Sequence, residues 1–189
     1  MKSVLNNENT LIIKNSRFIC LTYQINDSDD VKQILNQVKI KYPDATHYCY
    51  AYILDSIRHE SDDGEPSGTA GIPILQVLEK NNLNHVLCIV VRYFGKIKLG
   101  AGGLVRAYTK SVVECIKEKI IFLKKGYEVK VSFDYEYSKK IDYLLKDTNI
   151  LDKEFNEKII YTLLVDLELY KALININYVN VVILKETYF

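Results

Sequence analysis

From Lys80 to Val113 the chain has no aspartate and no glutamate, although 24 acidic and 25 basic residues balance overall at a net charge of +1. Lys80, Arg92, Lys96, Lys98, Arg106 and Lys110 give that stretch +6, which leaves −5 for the remainder. Charge concentrated in this way marks a surface for an anionic partner better than the net value does. Also lacking is an N-terminal stretch with the basic start, apolar middle and small-residue end of a secretory signal, and the longest apolar runs, such as VLCIVV at Val86 to Val91, are far too short to span a bilayer. A cytoplasmic protein with no membrane partner is expected. The four cysteines, Cys20, Cys49, Cys88 and Cys115, show none of the close pairing of a zinc site and read as buried thiols in a reducing compartment.

Glycine is scarce, and seven of the eight glycines lie between Gly64 and Gly103. They belong to two motifs, SDDGEPSGTAG at Ser61 to Gly71 and FGKIKLGAGG at Phe94 to Gly103, each opening a predicted helix. A helix start exposes unpaired N–H groups, and glycine lets another group approach them closely. Gly68, Thr69, Gly102 and Gly103, with the cations Arg92, Lys96, Lys98 and Arg106, therefore form a candidate anion or nucleic-acid site. No Walker lysine and no dinucleotide fingerprint accompanies them. The bland alternative is that the glycines only permit tight turns and that the lysines are a solvated face.

Asp62, Asp63 and Glu65 leave three readings open. They could hold magnesium through oxygen ligands, one could act as a general base, or they could shape the loop by accepting its amides and pairing with arginines. The structural use is preferred, with no catalytic residue and no cofactor assigned and magnesium kept as the alternative. His47 and Cys49, two apart on one strand, face the same side and invite a thiol-nucleophile reading, but a strand cysteine among tyrosines is more often core.

The predicted elements are a hairpin turning at Asn15-Ser16, a helix capped by Asp27 or Ser28 and stopped by Pro43, a strand over His47 to Leu54, a helix over Ile72 to Lys80, a doubly buried strand over Val86 to Tyr93, and a glycine-led helix after Gly103. Gly126 marks a change of composition, giving domains 1–125 and 126–189. Beyond it the predicted order βαββαβ is that of a ferredoxin-like domain. The whole chain reads as α+β.

SDDGEPSGTAGIPIL followed by VVRYFGKIKLGAGGLVRAY, with KNSRF at Lys14 to Phe18 and ATHYCYAY at Ala45 to Tyr52, closely resembles the signature of the YigZ/IMPACT family. The resemblance implies a first domain like domain IV of elongation factor G, a ribosomal-protein-like βαβ fold, and a ferredoxin-like second domain like domain V. It also implies a protein that touches RNA or the ribosome and acts in regulating translation. The eukaryotic branch reaches its protein partner through an additional RWD domain, so that partner is not expected here, and the protein partner is open. A peptidase label sometimes attached to the bacterial branch has no metal-ligand or nucleophile set behind it in these residues. Two rivals stand beside the RNA reading: a magnesium-dependent hydrolase or phosphotransferase acting on a phosphate-containing small molecule, and a protein-interaction module. Where the family pattern usually has Phe-Gly-Gly, this chain has Phe94-Gly95-Lys96, and Lys96 would either obstruct a ligand or strengthen phosphate binding.

Overall fold

The computed structural model describes all 189 residues. Strand β1 (Lys2–Val4) precedes a hairpin of β2 (Asn7–Ile13) and β3 (Ser16–Gln24). Its turn is Lys14-Asn15, one residue earlier than expected, because Ser16 already pairs with Ile13. Both turn residues have positive φ, 46° and 64°, the backbone that matches the twist of a two-residue hairpin. Helix α1 (Ser28–Lys41) starts at a capping box: Asp27 accepts from the Asp29 and Asp30 amides, and Asp30 accepts in return from the Asp27 amide.

The chain continues through β4 (His47–Leu54), β5 (Ile57–Ser61), α2 (Gly71–Lys80), β6 (Val86–Tyr93), α3 (Ala101–Ile116) and β7 (Ile120–Phe122). Strands β2-β3-β6-β4-β5, in that order, form an antiparallel sheet, while β1 and β7 pair separately. The central strand β6 is covered on both faces. Cys88 and Val90 join Phe18, Ile74, Tyr108 and Val112 in one core beneath α2 and α3. Leu87, Ile89 and Val91 join Val31 and Val38 of α1 in the other. This explains the unbroken apolar run, since a strand with a helix layer on each side has no polar face.

The second unit runs β8 (Lys125–Phe133), a 3₁₀ turn at Tyr135–Tyr137, α4 (Ser138–Leu144), β9 (Ile150–Phe155), β10 (Ile159–Asp166), α5 (Leu167–Ile174) and β11 (Asn180–Tyr188). Its antiparallel sheet has the order β11-β8-β10-β9 around a core of Val129, Val131, Phe133, Ile141, Tyr161 and Leu163. The chain divides between Phe122 and Leu123, not after residue 125. Lys124 exchanges two backbone hydrogen bonds with Phe189, and Lys125 pairs with Tyr188 in the second sheet, so both residues belong to the second unit. Gly126 is needed inside that sheet, because a Cβ there would lie 2.3 Å from the Val165 carbonyl oxygen. The α+β class is observed, and no helix is long and apolar enough to cross a membrane.

Candidate functional site

The acidic loop spends its carboxylates on three different tasks. Asp62 turns toward the start of α2, where its two oxygens accept hydrogen bonds from the amides of Gly68 (2.7 Å), Ala70 (2.9 Å) and Gly71 (2.8 Å). Burial would raise the Asp62 carboxyl, and the donors Gly68, Gly71 and Ala70 outweigh it, so the net pKa is lowered. The anion at this helix start is thus the protein's own. Gly68 and Thr69 are not free for an external anion, and Thr69 is buried with its hydroxyl donating to the Pro66 carbonyl.

Asp63, at φ 42°, accepts from the Tyr48 amide at 2.6 Å, and its carbonyl lies 2.8 Å from His47 Nδ1. A carbonyl only accepts, so Nδ1 carries the hydrogen and Nε2 points elsewhere. Glu65 is buried, and its Oε1 accepts from both Arg92 Nη1 and Tyr108 Oη. The three carboxylates therefore do not assemble into a ligand set, and no cluster of three metal-ligating side chains occurs anywhere in the chain. Asp62, Asp63 and Glu65 are each engaged with a different partner and do not converge on one point where they could share a magnesium ion. The loop-shaping alternative is what the hydrogen bonds describe.

Arg92 is also misplaced by a reading that puts it on the outer surface. Only 4% exposed, it pairs with Glu65, reaches Ser16 Oγ at 3.5 Å, and lies within 5.5 Å of the ring centroids of Phe18 and Phe94. Its place in β6 accounts for this, because Cys88, Val90 and Arg92 alternate onto the face covered by α2 and α3. Arg92 braces the loop against the sheet through Glu65, while its buried Nε makes no hydrogen bond. Cys49 is equally withdrawn: its thiol donates to the Asp62 carbonyl (3.0 Å) and contacts Tyr108 Oη (3.2 Å), and burial pushes it up to about 12. A thiol so protonated is no nucleophile.

The remaining cations do gather. Gly95 abuts the hairpin turn, donating its amide to Ser16 Oγ, and a Cβ at Gly95 would lie 2.0 Å from the Asn15 carbonyl carbon. This contact sets the β6–α3 loop, carrying exposed Lys96 and Lys98, beside the turn carrying exposed Lys14. A cleft of about 330 Å³ is lined by Lys14, Leu99, Gly103, Arg106 and Lys110. None of Lys14, Lys96, Lys98, Arg106 and Lys110 takes part in a salt bridge. Lys14 was the member hidden from sequence reasoning, since it lies outside the acid-free stretch and joins it only through the Gly95 contact. Lys96 has φ 63°, a left-handed conformation that glycine adopts at least cost, which gives the family's second glycine a conformational reason. Gly102 and Gly103 lie in the first turn of α3, where Gly103 packs on Leu99.

A second cleft, about 410 Å³, lies across Leu99 from the first and is lined by Thr46, His47, Glu65, Pro66, Arg92, Phe94, Lys98, Gly100, Ala101 and Leu104. This second cleft is at the start of α3, whose Gly100 cap supplies no side-chain acceptor, while the first runs along α3 from Gly103 to Lys110.

The Impact N-terminal domain model matches residues 14–116. This chain belongs to the IMPACT family. It is similar to IMPACT family member YvyE of Bacillus subtilis, 40% identical over 153 residues that cover 79% of this chain and 70% of the relative. Family member YigZ of Escherichia coli is 38% identical over 111 residues, 56% of this chain and 54% of that one. A crystal structure of a hypothetical protein superposes with a TM-score of 0.62 at 25% identity, covering 97% of both chains.

Proposed function

We propose that this IMPACT-family protein binds structured RNA through the face formed by Lys14, Lys96, Lys98, Arg106 and Lys110, with translation as the process it serves in the cytoplasm. The observation that carries the reading is that Lys14, Arg106 and Lys110 line one cleft along α3, with exposed Lys96 and Lys98 on the loop that leads into that helix, and that no acidic side chain pairs with any of the five. Unpaired positive charge of this kind suits a polyphosphate backbone, whose neutralisation releases counterions. The two-domain assignment, a first unit like domain IV of elongation factor G and a ferredoxin-like second unit, belongs to the same proposal. It is supported by the βαββαβ order and the β11-β8-β10-β9 sheet of the second unit.

The test is binding of the purified protein to ribosomal RNA fragments and transfer RNA, with the variant Lys96→Ala/Lys98→Ala/Arg106→Ala alongside. The variant should bind markedly more weakly. Equal affinity of the two proteins would contradict the proposed face.

A further inference from the structure

The larger cleft has a chemistry that the basic face does not need. Phosphate contacts require only cations and amides, whereas this cleft is walled by Pro66, Phe94, Leu99, Ala101 and Leu104 and carries polar atoms along one edge. Phe94 is 44% exposed, and its position is fixed by its amide donating to Thr46 Oγ1 at 3.0 Å. At the polar edge, both hydrogen bonds to Glu65 fall on Oε1. Glu65 Oε2 makes no hydrogen bond to the protein and lies 3.8 Å from His47 Nε2, close enough for an ion pair when that imidazole is protonated. A carboxylate oxygen in the lining of a cleft, with no protein hydrogen bond of its own, can accept one from an N–H donor of a ligand.

At the mouth, exposed Lys98 stands beside the start of α3, where only the Gly103 and Leu104 amides turn back to the Gly100 carbonyl and no side chain caps the rest. An anionic group is favoured there. The cleft thus suits a ligand with a flat apolar body, an N–H donor for Glu65 and an anion for Lys98 and the α3 start. A nucleotide has all three, and about 410 Å³ falls in the range of small-ligand clefts.

Resting on the RNA reading above, we infer that this cleft receives a single unstacked base of the bound RNA, stacked against Phe94, with an amino or imino N–H of the base donating to Glu65 Oε2 and its phosphate held by Lys98 and the α3 start. Recognition of splayed bases by aromatic stacking and edge hydrogen bonds is the usual way proteins read single-stranded RNA. Guanine, with N–H donors at both N1 and N2, fits the acceptor edge better than uracil, which offers one donor between two carbonyls.

The experiment uses the full chain and a single-stranded RNA containing 2-aminopurine, whose fluorescence changes on stacking against an aromatic ring. Binding should alter the emission, and Phe94→Leu should abolish that change and weaken binding about fivefold or more. In competition, guanosine monophosphate should displace the probe at lower concentration than uridine monophosphate. RNA that binds with no emission change, or a change untouched by Phe94→Leu, overturns the base site and leaves the RNA reading standing. If no RNA binds at any salt, the RNA reading itself fails. The cleft is then read by NMR with guanosine monophosphate alone: shifted Phe94 and Ala101 amides uphold a nucleotide site, and unshifted ones overturn it.

Discussion

Glu65 Oε1 accepts hydrogen bonds from Arg92 Nη1 of β6 and, at 2.7 Å, from Tyr108 Oη of α3, so one buried oxygen ties the acidic loop to both the sheet and the helix. The loop owes its shape to this bond and to Asp62, and the base-sized cleft owes it one wall.

Removing half of that pair leaves a buried charge. Glu65→Ala or Arg92→Ala should each destabilise the protein by about 3–5 kcal/mol, read as a fall in the urea midpoint. Glu65→Leu combined with Arg92→Met should recover part of the loss, because no unpaired charge remains.

Asp62 gives the pH dependence a definite sign. Its pKa in the fold lies below the ordinary 3.8, so it contributes stability that is fully present above 3.8 and lost as pH falls through the lower folded value. Melting temperature measured from pH 7 down to pH 2 should fall at the acid end, and Asp62→Asn should flatten that fall. At pH 7 the same variant should be less stable by about 0.5–2 kcal/mol, the range for a lost helix cap.

Lys96 separates stability from binding. With φ at 63°, a lysine bears a backbone cost of about 1–2 kcal/mol that glycine does not. Lys96→Gly should therefore raise the denaturation midpoint or leave it unchanged, while RNA affinity drops by the loss of one phosphate contact. Gly95→Ala should do the opposite, disrupting the fold through its clash with Asn15.

Cys49 should resist alkylation. With its thiol pushed up to about 12 by burial, the native protein treated with iodoacetamide at pH 8 should leave Cys49 unmodified by mass spectrometry. Rapid labelling there would revive the nucleophile reading.

How far these features could be read from residues alone varies with what fixes them. The α1 cap, β4 and β6 were legible, because Asp27, the aromatic run HYCYAYIL and the apolar run VLCIVV state their roles locally. Strand β5 was not: IRHES forms an edge strand whose residues are exposed or half-buried, with no alternation to betray it. The short pair β1 and β7 joins opposite ends of the first unit, and such pairing leaves no local pattern. The basic segment was visible as charge, yet which of its members face water depended on register. Arg92 continues the inward series of Cys88 and Val90, so strand parity held the clue, while the partner Glu65, 27 residues away, was needed to complete it. Lys14 entered the face only through the contact of Gly95 with the hairpin turn.

The most direct test of the central claim is the salt dependence of RNA binding, measured for the native protein and for Lys96→Ala/Lys98→Ala/Arg106→Ala. Each phosphate contact contributes about 0.7–0.9 to the slope of log affinity against log salt, so the account expects the slope to fall by about two to three in the triple variant. An unchanged slope and affinity would show that these cations do not touch the nucleic acid and would contradict the proposed face.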